Sequence, residues 1–419
     1  MARTARKERC RKFSPVLAAA AILAAWPARA STFSVLHLFQ GTDGGGPLAG
    51  LLIDTSGDLI GTASDGPKKS TGVVFKLATD GTMTILHVFR GKSDGHAPSF
   101  STLVADPAGN LYGTTVAGGA LIGGRIGTVF KIAPNGSETI LHAFSGAREG
   151  QWPEAGLALD ASGNLYGTTF VGGAKKLCSV PGDRGCGVVF KIAPDGTETL
   201  LHAFVGPDGA NPFGGSLLMD NTGSLYGVAY RGGTTGCVAG AGCGTVFKIS
   251  SSGALTVLHD FQGGADGSFP QSSLVADDAG NLYGTTYYGG GTGCTYGCGT
   301  IFELAPDGTE TVLYAFQGGA DGKFPAAGVI RDAQGNLYGT ASAGGDADCA
   351  AGYGCGTVFK LAPDGTFTVL HSFQGNDGVE PFGGLVADRF GNLYGTAEEG
   401  GTVNAECPEG CGTIFELTP

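Results

Sequence analysis

Short apolar runs rich in Val, Leu, Phe, Tyr and Thr recur along almost the whole chain, separated by Gly, Asp, Asn and Pro. That alternation predicts strands and turns, and no long stretch has the i, i+3, i+4 spacing of an amphipathic helix. Three phrases carry the pattern. NLYG stands at 110–113, 164–167, 281–284, 336–339 and 392–395, with SLYG at 224–227 and DLIG at 58–61. A G-[TV]-[VI]-F-[KE] phrase places its phenylalanine at Phe75, Phe130, Phe190, Phe247, Phe302, Phe359 and Phe415, in steps of 55, 60, 57, 55, 57 and 56 residues. A phrase close to T-V-L-H-x-F ends at Phe39, Phe89, Phe144, Phe204, Phe261, Phe316 and Phe373.

Each unit therefore offers four short strands. In the third they fall at 156–160 (A), 164–169 (B), 187–192 (C) and 198–204 (D). A D-x-x-G-N turn links A to B, and P-D-G-T links C to D, where Asp-Gly tolerates the positive φ of a tight hairpin. Four-stranded units at this period predict an all-β, seven-bladed β-propeller of antiparallel blades. The chain enters on a D strand (33–39) and leaves on a C strand (412–417), so the N-terminal strand is expected to complete the last blade and remove an open edge. In such a meander the A–B and C–D turns share one face, and the B–C and D–A connections share the other. The second face carries the length variation and all five cysteine pairs, and variable loops on a rigid scaffold are where binding concentrates.

Residues 1–30 read as an export signal. Arg3, Arg6, Lys7, Arg9, Arg11 and Lys12 precede an apolar stretch from Val16 to Ala25, and Ala28-Arg29-Ala30 forms a small-x-small cleavage site. The stretch is too short to span a bilayer, and no later run is long enough. Residues 31–419 are then a single propeller domain. Seven of the 25 basic residues and one of the 37 acidic residues precede Ser31, leaving 18 against 36 and a net charge of −18. A field of that sign repels phosphate backbones and anionic lipid, so nucleic-acid and membrane partners are not expected. A monomer, secreted or periplasmic, is expected.

Ten of the 11 cysteines follow the signal, in close pairs: Cys178/Cys186, Cys237/Cys243, Cys294/Cys298, Cys349/Cys355 and Cys407/Cys411. An even count in an exported chain reads as disulfides, each adding about 2–2.5 kcal/mol in the chain-entropy account. Zinc is the competing reading, but no pair comes with a matching second pair or a histidine pair.

Asp43, Asp94, Glu149, Asp208, Asp266, Asp321 and Asp377 form a ring of acids in the D–A loops. Calcium binding is one reading. Turn chemistry, each aspartate capping its own backbone before a proline, is the reading the D-G-x-x-P context favours. Aromatics stand beside the same prolines: Phe100, Trp152, Phe213, Phe269, Phe324 and Phe382. Exposed, they offer flat faces for sugar rings, and buried, they are interblade core, which is the expectation for the phenylalanines. Trp152 is the better binding candidate, with Phe269, Phe324 and Arg231 beside it. His37, His87, His142, His202, His259 and His371 hold equivalent places on outer strands, Tyr314 filling the sixth, and read as structural. Catalysis would sit where the repeat symmetry breaks, at His96, Trp152, Lys175, Lys176, Arg231, Glu398 or Glu399. These form no nucleophile–base–orienter set, so no catalytic residue is assigned.

The phrases GNLYGT, GTVFK, APDGT and TVLHxF resemble the GloVer tandem-repeat family, whose members are described as choice-of-anchor proteins. The resemblance spans residues 31–419 in seven copies, with blade 1 the weakest. It implies an exported bacterial repeat protein, held at the surface by a varied C-terminal sorting segment. This chain ends at Pro419 directly after its last strand, so release or periplasmic residence is expected instead. The resemblance implies no activity. A non-catalytic binding or scaffolding module for a glycan or surface protein is the favoured function, without a cofactor. A lyase, lactonase or glycosidase at the central channel is the alternative, although sialidase-type S-x-D-x-G-x-T-W boxes and tryptophan-rich docking motifs are absent.

Overall fold

The computed structural model describes residues 31–419 apart from 68–70, 120–125, 147, 181–183, 234–235 and 238–239. The signal-peptide reading of residues 1–30 lies outside the described residues. Seven sheets, each with four antiparallel strands A to D, follow one another along the chain, the last completed by the N-terminal strand and the fifth carrying an extra short parallel strand at Gly289–Gly290. Among the described residues helix is confined to single 3-10 turns such as Gly264–Asp266.

Blade 3 shows the unit: Ala158–Leu159 (A), Leu165–Thr169 (B), Val188–Ile192 (C) and Glu198–Ala203 (D). Strand A is shorter than the five residues expected from sequence. Near the axis all seven inner strands converge, and the residues before A bond to neighbouring blades instead of extending their own ladder. Thr114 Oγ1 donates to the Ala155 carbonyl (3.0 Å) and Gly214 N–H to the Glu154 carbonyl (2.9 Å).

The D-x-x-G-N-L-Y-G phrase is one hydrogen-bonded cluster. Asp160 Oδ1 accepts from the Ser162 and Asn164 backbone N–H groups (2.9 and 2.8 Å), and its Oδ2 accepts from Asn164 Nδ2 (2.7 Å) and the Tyr166 hydroxyl (3.0 Å). Lys191 of strand C lies over the Tyr166 ring. Blade 1, with Ile60 in place of the tyrosine, substitutes an ion pair from Lys76 to Asp54 and Asp58.

The ring closes as expected. The N-terminal strand Thr32–Leu38 pairs antiparallel with Thr413–Thr418, completing blade 7. Across the seam Thr396 Oγ1 donates to the Ala49 carbonyl (3.0 Å), the same interblade bond as Thr114 makes elsewhere. Between blades, the phenylalanine after each D strand meets the strand C phenylalanine of the next blade edge to face, as Phe144 meets Phe190 at 5.1 Å.

All five cysteine pairs are disulfides: Cys178–Cys186, Cys237–Cys243, Cys294–Cys298, Cys349–Cys355 and Cys407–Cys411, in blades 3 to 7. They lie in the B–C connections, as expected, and reach from there into the core. Only the first cysteine of each pair sits part-buried in the B–C loop. The second, Cys186, Cys243, Cys298, Cys355 or Cys411, is buried to 0–1% exposure at the entry to strand C. Each of these five packs in an interblade core cluster, as Cys186 does with Phe204, Cys355 with Phe373 and Cys411 with Phe39. The physical reason is the glycine-flanked start of strand C, which already lies beneath the loop. Half-cystine sulfur is apolar enough to fill that space, so each bridge ties a surface loop to the core.

Candidate functional site

The residue before each D–A loop proline adopts a left-handed backbone at all seven blades. Gly46 has φ 60°, and Ala97, Trp152, Asn211, Phe269, Phe324 and Glu380 lie between 54° and 59°. For residues with a Cβ preceding proline this costs about 1–3 kcal/mol each, and it persists only where surroundings over-determine it. They do. Five of these residues donate their N–H to the carbonyl of the buried cysteine in the preceding blade. The pairs are Asn211 to Cys186 (2.8 Å), Phe269 to Cys243 (2.7 Å), Phe324 to Cys298 (2.7 Å), Glu380 to Cys355 (3.1 Å) and Gly46 to Cys411 (3.1 Å). Trp152 donates to Ile126 instead (3.0 Å). The carbonyls of Trp152, Phe269 and Glu380 accept in turn from Phe170, Tyr287 and Glu398, residues just past strand B of their own blades. Each blade except the first, whose socket residue is Gly46, thus presents two side chains from a doubly bonded backbone socket. The buried cysteines therefore do not face a ligand. They hold the backbone from which the neighbouring blade's socket hangs.

These two columns break the sevenfold symmetry. Blades 3 to 6 fill them with Trp152 and Phe170, Asn211 and Tyr230, Phe269 and Tyr287, Phe324 and Ser342, whereas blade 7 fills them with Glu380 and Glu398. An aromatic crescent results. Trp152 stacks on Phe170 with ring centroids 6.4 Å apart, Phe170 meets Phe213, Tyr230 meets Phe269, and Tyr287 stacks on Phe324 at 5.1 Å. On the ring axis lies a cavity of about 370 Å³ whose lining includes Phe100, Phe213, Tyr230, Tyr287, Tyr288 and Phe382.

The structure separates the aromatics grouped in sequence. Trp152, Phe269 and Phe324 occupy the socket, while Phe100, Phe213 and Phe382 follow the proline and line the cavity. The expectation that the phenylalanines are all interblade core is corrected in this respect. Phe269 is buried (8% exposed), but Phe100, Phe213, Phe324 and Phe382 are only half-buried. The fully buried core is made by the repeat phenylalanines such as Phe190 and Phe204. Arg231 lies against the Tyr230 ring and exchanges backbone bonds with Ala210. Tyr230, Tyr287 and Tyr288 were not singled out by sequence reasoning. The signal for them is the variable column directly after the repeated strand B threonines.

Next to the blade 6 end of the crescent, in blade 7, Glu380, Glu398 and Glu399 come together with Asp65 and Glu409 nearby. Burial, then the carboxylates of Glu380, Glu399 and Asp65, push Glu398 up to about 7. Burial and the same crowding from Glu380 and Glu409 push Glu399 to about 7. Glu154, beside Pro153 in blade 3, is pushed to about 7 by burial alone. A carboxyl raised from 4.5 to about 7 on folding favours the folded state below pH 4.5 and loses that advantage as pH rises through 7. Glu398→Gln should therefore raise stability at pH 8 by about 2–3 kcal/mol, after allowance for solvent screening, and leave it almost unchanged at pH 4. Urea melts at the two pH values check this, and equal increments at both would sink it.

A third feature is cationic. Arg148, Lys175, Lys176 and Arg184 line an open cleft of about 800 Å³ together with Leu177 and Leu200, both exposed. Arg184 sits over the Trp152 ring at 5.6 Å, so the cleft adjoins the aromatic crescent. Two symmetry-breaking features that the sequence left unconnected, Trp152 and the Lys175–Lys176 pair, thus belong to one side of this face. His96 stands apart from them, near Asp65.

The acid ring of the D–A loops lies against the outer strands. Every member accepts from a backbone N–H of its own loop, as Asp43 does from Gln40 (2.7 Å), Asp94 from Arg90 (2.9 Å) and Asp377 from Gln374 (2.7 Å). Most also face the outer-strand histidine six or seven residues earlier: His37–Asp43 is 2.9 Å, His202–Asp208 2.7 Å and His371–Asp377 2.9 Å. These histidine–acid pairs were missed in sequence, although their constant spacing was visible there.

Together the closed ring and its disulfide-pinned, symmetry-broken face define a seven-bladed β-propeller of the loop-bearing type. The chain belongs to the Gloeobacter/Verrucomicrobia repeat family, whose profile matches residues 21–181, 178–351 and 291–419. No curated protein matches the chain. Among solved structures it is similar to a fungal alcohol oxidase of the AA5 family (13% identity, TM-score 0.54), over 93% of this chain and 76% of that one. It is also similar to an extracellular domain assigned to a one-component system of B. thetaiotaomicron (12%, TM-score 0.53), over 91% of this chain and 39% of that one. A gluconolactonase from Xanthomonas campestris aligns at 16% identity and TM-score 0.41, over 74% and 82% of the two chains. At their identities the first two show a likeness of fold alone.

Proposed function

We propose that this protein is an exported carbohydrate-binding propeller that takes its ligand at the channel mouth on the disulfide-bearing face. The aromatic crescent of blades 3 to 6 carries the reading: Phe213, Tyr230 and Tyr287 of it line the 370 Å³ cavity, together with the polar side chains of Thr102, Gln271 and Ser272. Flat apolar rings with a polar handle suit a sugar's C–H face, and convergent polar groups fix its orientation. Five disulfides support an oxidising compartment outside the cytoplasm.

Calorimetric titration with neutral and acidic oligosaccharides tests the proposal, the acidic arm being included because the cationic cleft adjoins Trp152. Tyr287→Ala and Phe213→Ala should weaken binding by about 10- to 100-fold while the melting temperature stays within a few degrees, as expected of anchoring aromatics. Absence of binding by every oligosaccharide at millimolar concentration would overturn it. A catalytic reading is favoured by one observation, the Glu398 carboxyl held near 7 and so able to act as a general acid at neutral pH. Release of new reducing ends by the native protein but not by Glu398→Gln, with binding retained, would favour that reading over simple binding.

A further inference from the structure

Each blade junction repeats one three-residue arrangement with a single variable member. The outer-strand histidine (or Tyr314) faces the acid of the following loop. The third member is the D-strand residue of the next blade opposite the end of its strand C. Register puts Met83, Glu138, Glu198, Leu255, Glu310, Phe367 and Phe33 at that position.

Where the third member is apolar, the first two close into an ordinary hydrogen bond of 2.7–3.0 Å. Phe33 and Phe367 stack on His371 and Tyr314 at 3.6 and 3.9 Å. At two of the three junctions where it is glutamate, the arrangement opens. His142 Nε2 stands 3.8 Å from Glu149 and 4.0 Å from Glu198, and His87 Nε2 stands 3.5 Å from Glu138, with no hydrogen bond made by either nitrogen. At the third, His259 keeps a hydrogen bond of 3.1 Å to Asp266, with Glu310 as the third member. In all three junctions the ligand atoms lie within 4.8 Å of one another. Asp94 Oδ1, Glu138 Oε1, Glu198 Oε1 and Glu310 Oε1 are buried without a hydrogen-bond partner.

Nitrogen and oxygen ligands placed about 2.0–2.2 Å from a tetrahedral ion stand about 3.2–3.6 Å apart, longer than a hydrogen bond and close to the open separations here. Two carboxylates brought together beside an imidazole repel one another unless a cation or a proton stands between them. Imidazole nitrogen selects zinc-class ions over calcium, which prefers oxygen ligands. We propose that the His87–Asp94–Glu138, His142–Glu149–Glu198 and His259–Asp266–Glu310 clusters are divalent transition-metal sites, each cross-linking two neighbouring blades and leaving a fourth position for water. Two of them join blades 1 to 2 and 2 to 3, where the first two blades have no disulfide of their own.

The test is metal content after chelator treatment and equilibration with micromolar Zn²⁺. The native protein should retain about three equivalents, one per cluster, and its melting temperature should rise by several degrees with Zn²⁺ and not with Ca²⁺. Glu138→Gln, Glu198→Gln and Glu310→Gln should each remove one equivalent, and the triple variant all three, with melting in chelator no lower than that of the native protein. Leu255→Glu should create a fourth site beside His202 and Asp208. Retention of less than one equivalent by the native protein would overturn the proposal and leave a shared proton as the occupant of each cluster. Full zinc retention by the triple variant, or no added equivalent in a folded Leu255→Glu protein, would overturn it equally.

Discussion

Deleting residues 32–38 should abolish the closed monomeric ring. That strand supplies a whole ladder to Thr413–Thr418 and places Phe33 between His371 and Phe415, at 3.6 and 5.5 Å. It also anchors the His37–Asp43 pair that shapes the first D–A loop. Its loss uncovers the last C strand as an edge of unpaired N–H and C=O groups, a template for pairing with another copy. Three part-buried apolar side chains, Phe33, Val35 and Leu36, go with it. At about 1.5–3 kcal/mol for a fully buried side chain, the sum approaches about 5 kcal/mol, the lower end of a whole domain's stability. Size-exclusion chromatography should report oligomers or an expanded chain, and the thermal transition should fall by tens of degrees or vanish. The milder Phe33→Ala should cost about 2 kcal/mol and keep the ring closed. A deleted protein that remains a monomer with an unchanged transition would refute the clasp as the source of closure.

The second large effect lies in the NLYG glycine. A Cβ on Gly284 would fall 2.7 Å from the Phe302 ring and 2.9 Å from Leu274, and the equivalent glycines of the other six blades meet their own strand C phenylalanine at 2.5–2.7 Å. The glycine is required there because the Cζ end of the ring sits against strand B where a Cβ would stand, not because of its dihedral freedom. Gly284→Ala should cost about 1–3 kcal/mol through overpacking, and Phe302→Ala about 3–5 kcal/mol through the cavity left behind. Because the two residues share one space, Gly284→Ala with Phe302→Leu should lose less than the sum of the single changes by at least about 0.5 kcal/mol. Denaturant melts of the four proteins measure this coupling. Strict additivity would show that the glycine serves some other purpose.

The candidate site was only half legible. Trp152, Glu398 and Glu399 stand out in a linear reading because they break a repeat, and Phe269 and Phe324 because they stand beside the D–A loop prolines. Their grouping does not, since a socket residue and its partner beyond strand B are about 18 residues apart, as Trp152 and Phe170 are. Tyr230, Tyr287 and Tyr288 read as ordinary strand-end residues until the ring brings them to the cavity. The Lys175–Lys176 pair reads as a solvated loop until Arg184, over Trp152, places it beside the crescent. The cysteine pairs read as loop staples, and only the blade packing shows that Cys186, Cys355 and Cys411 are core residues.

Blade number, strand order, ring closure and disulfide partners were determined by the sequence itself. Each depends on local rules repeated seven times: turn chemistry at Asp-x-x-Gly-Asn and Asp-Gly, alternation along strands, and cysteines close enough in the chain to meet only each other. Only the tertiary structure decided what meets across a blade junction. His142 and Glu198 belong to different blades 56 residues apart, and the same local phrase places Glu198 here, Leu255 in the next blade and Phe367 two blades further on. Local rules accept all three, because the residue sits at the end of a hairpin ladder whichever side chain it carries. The neighbouring blade sets whether that position becomes packing or chemistry, because the histidine and acid it faces come from a different repeat.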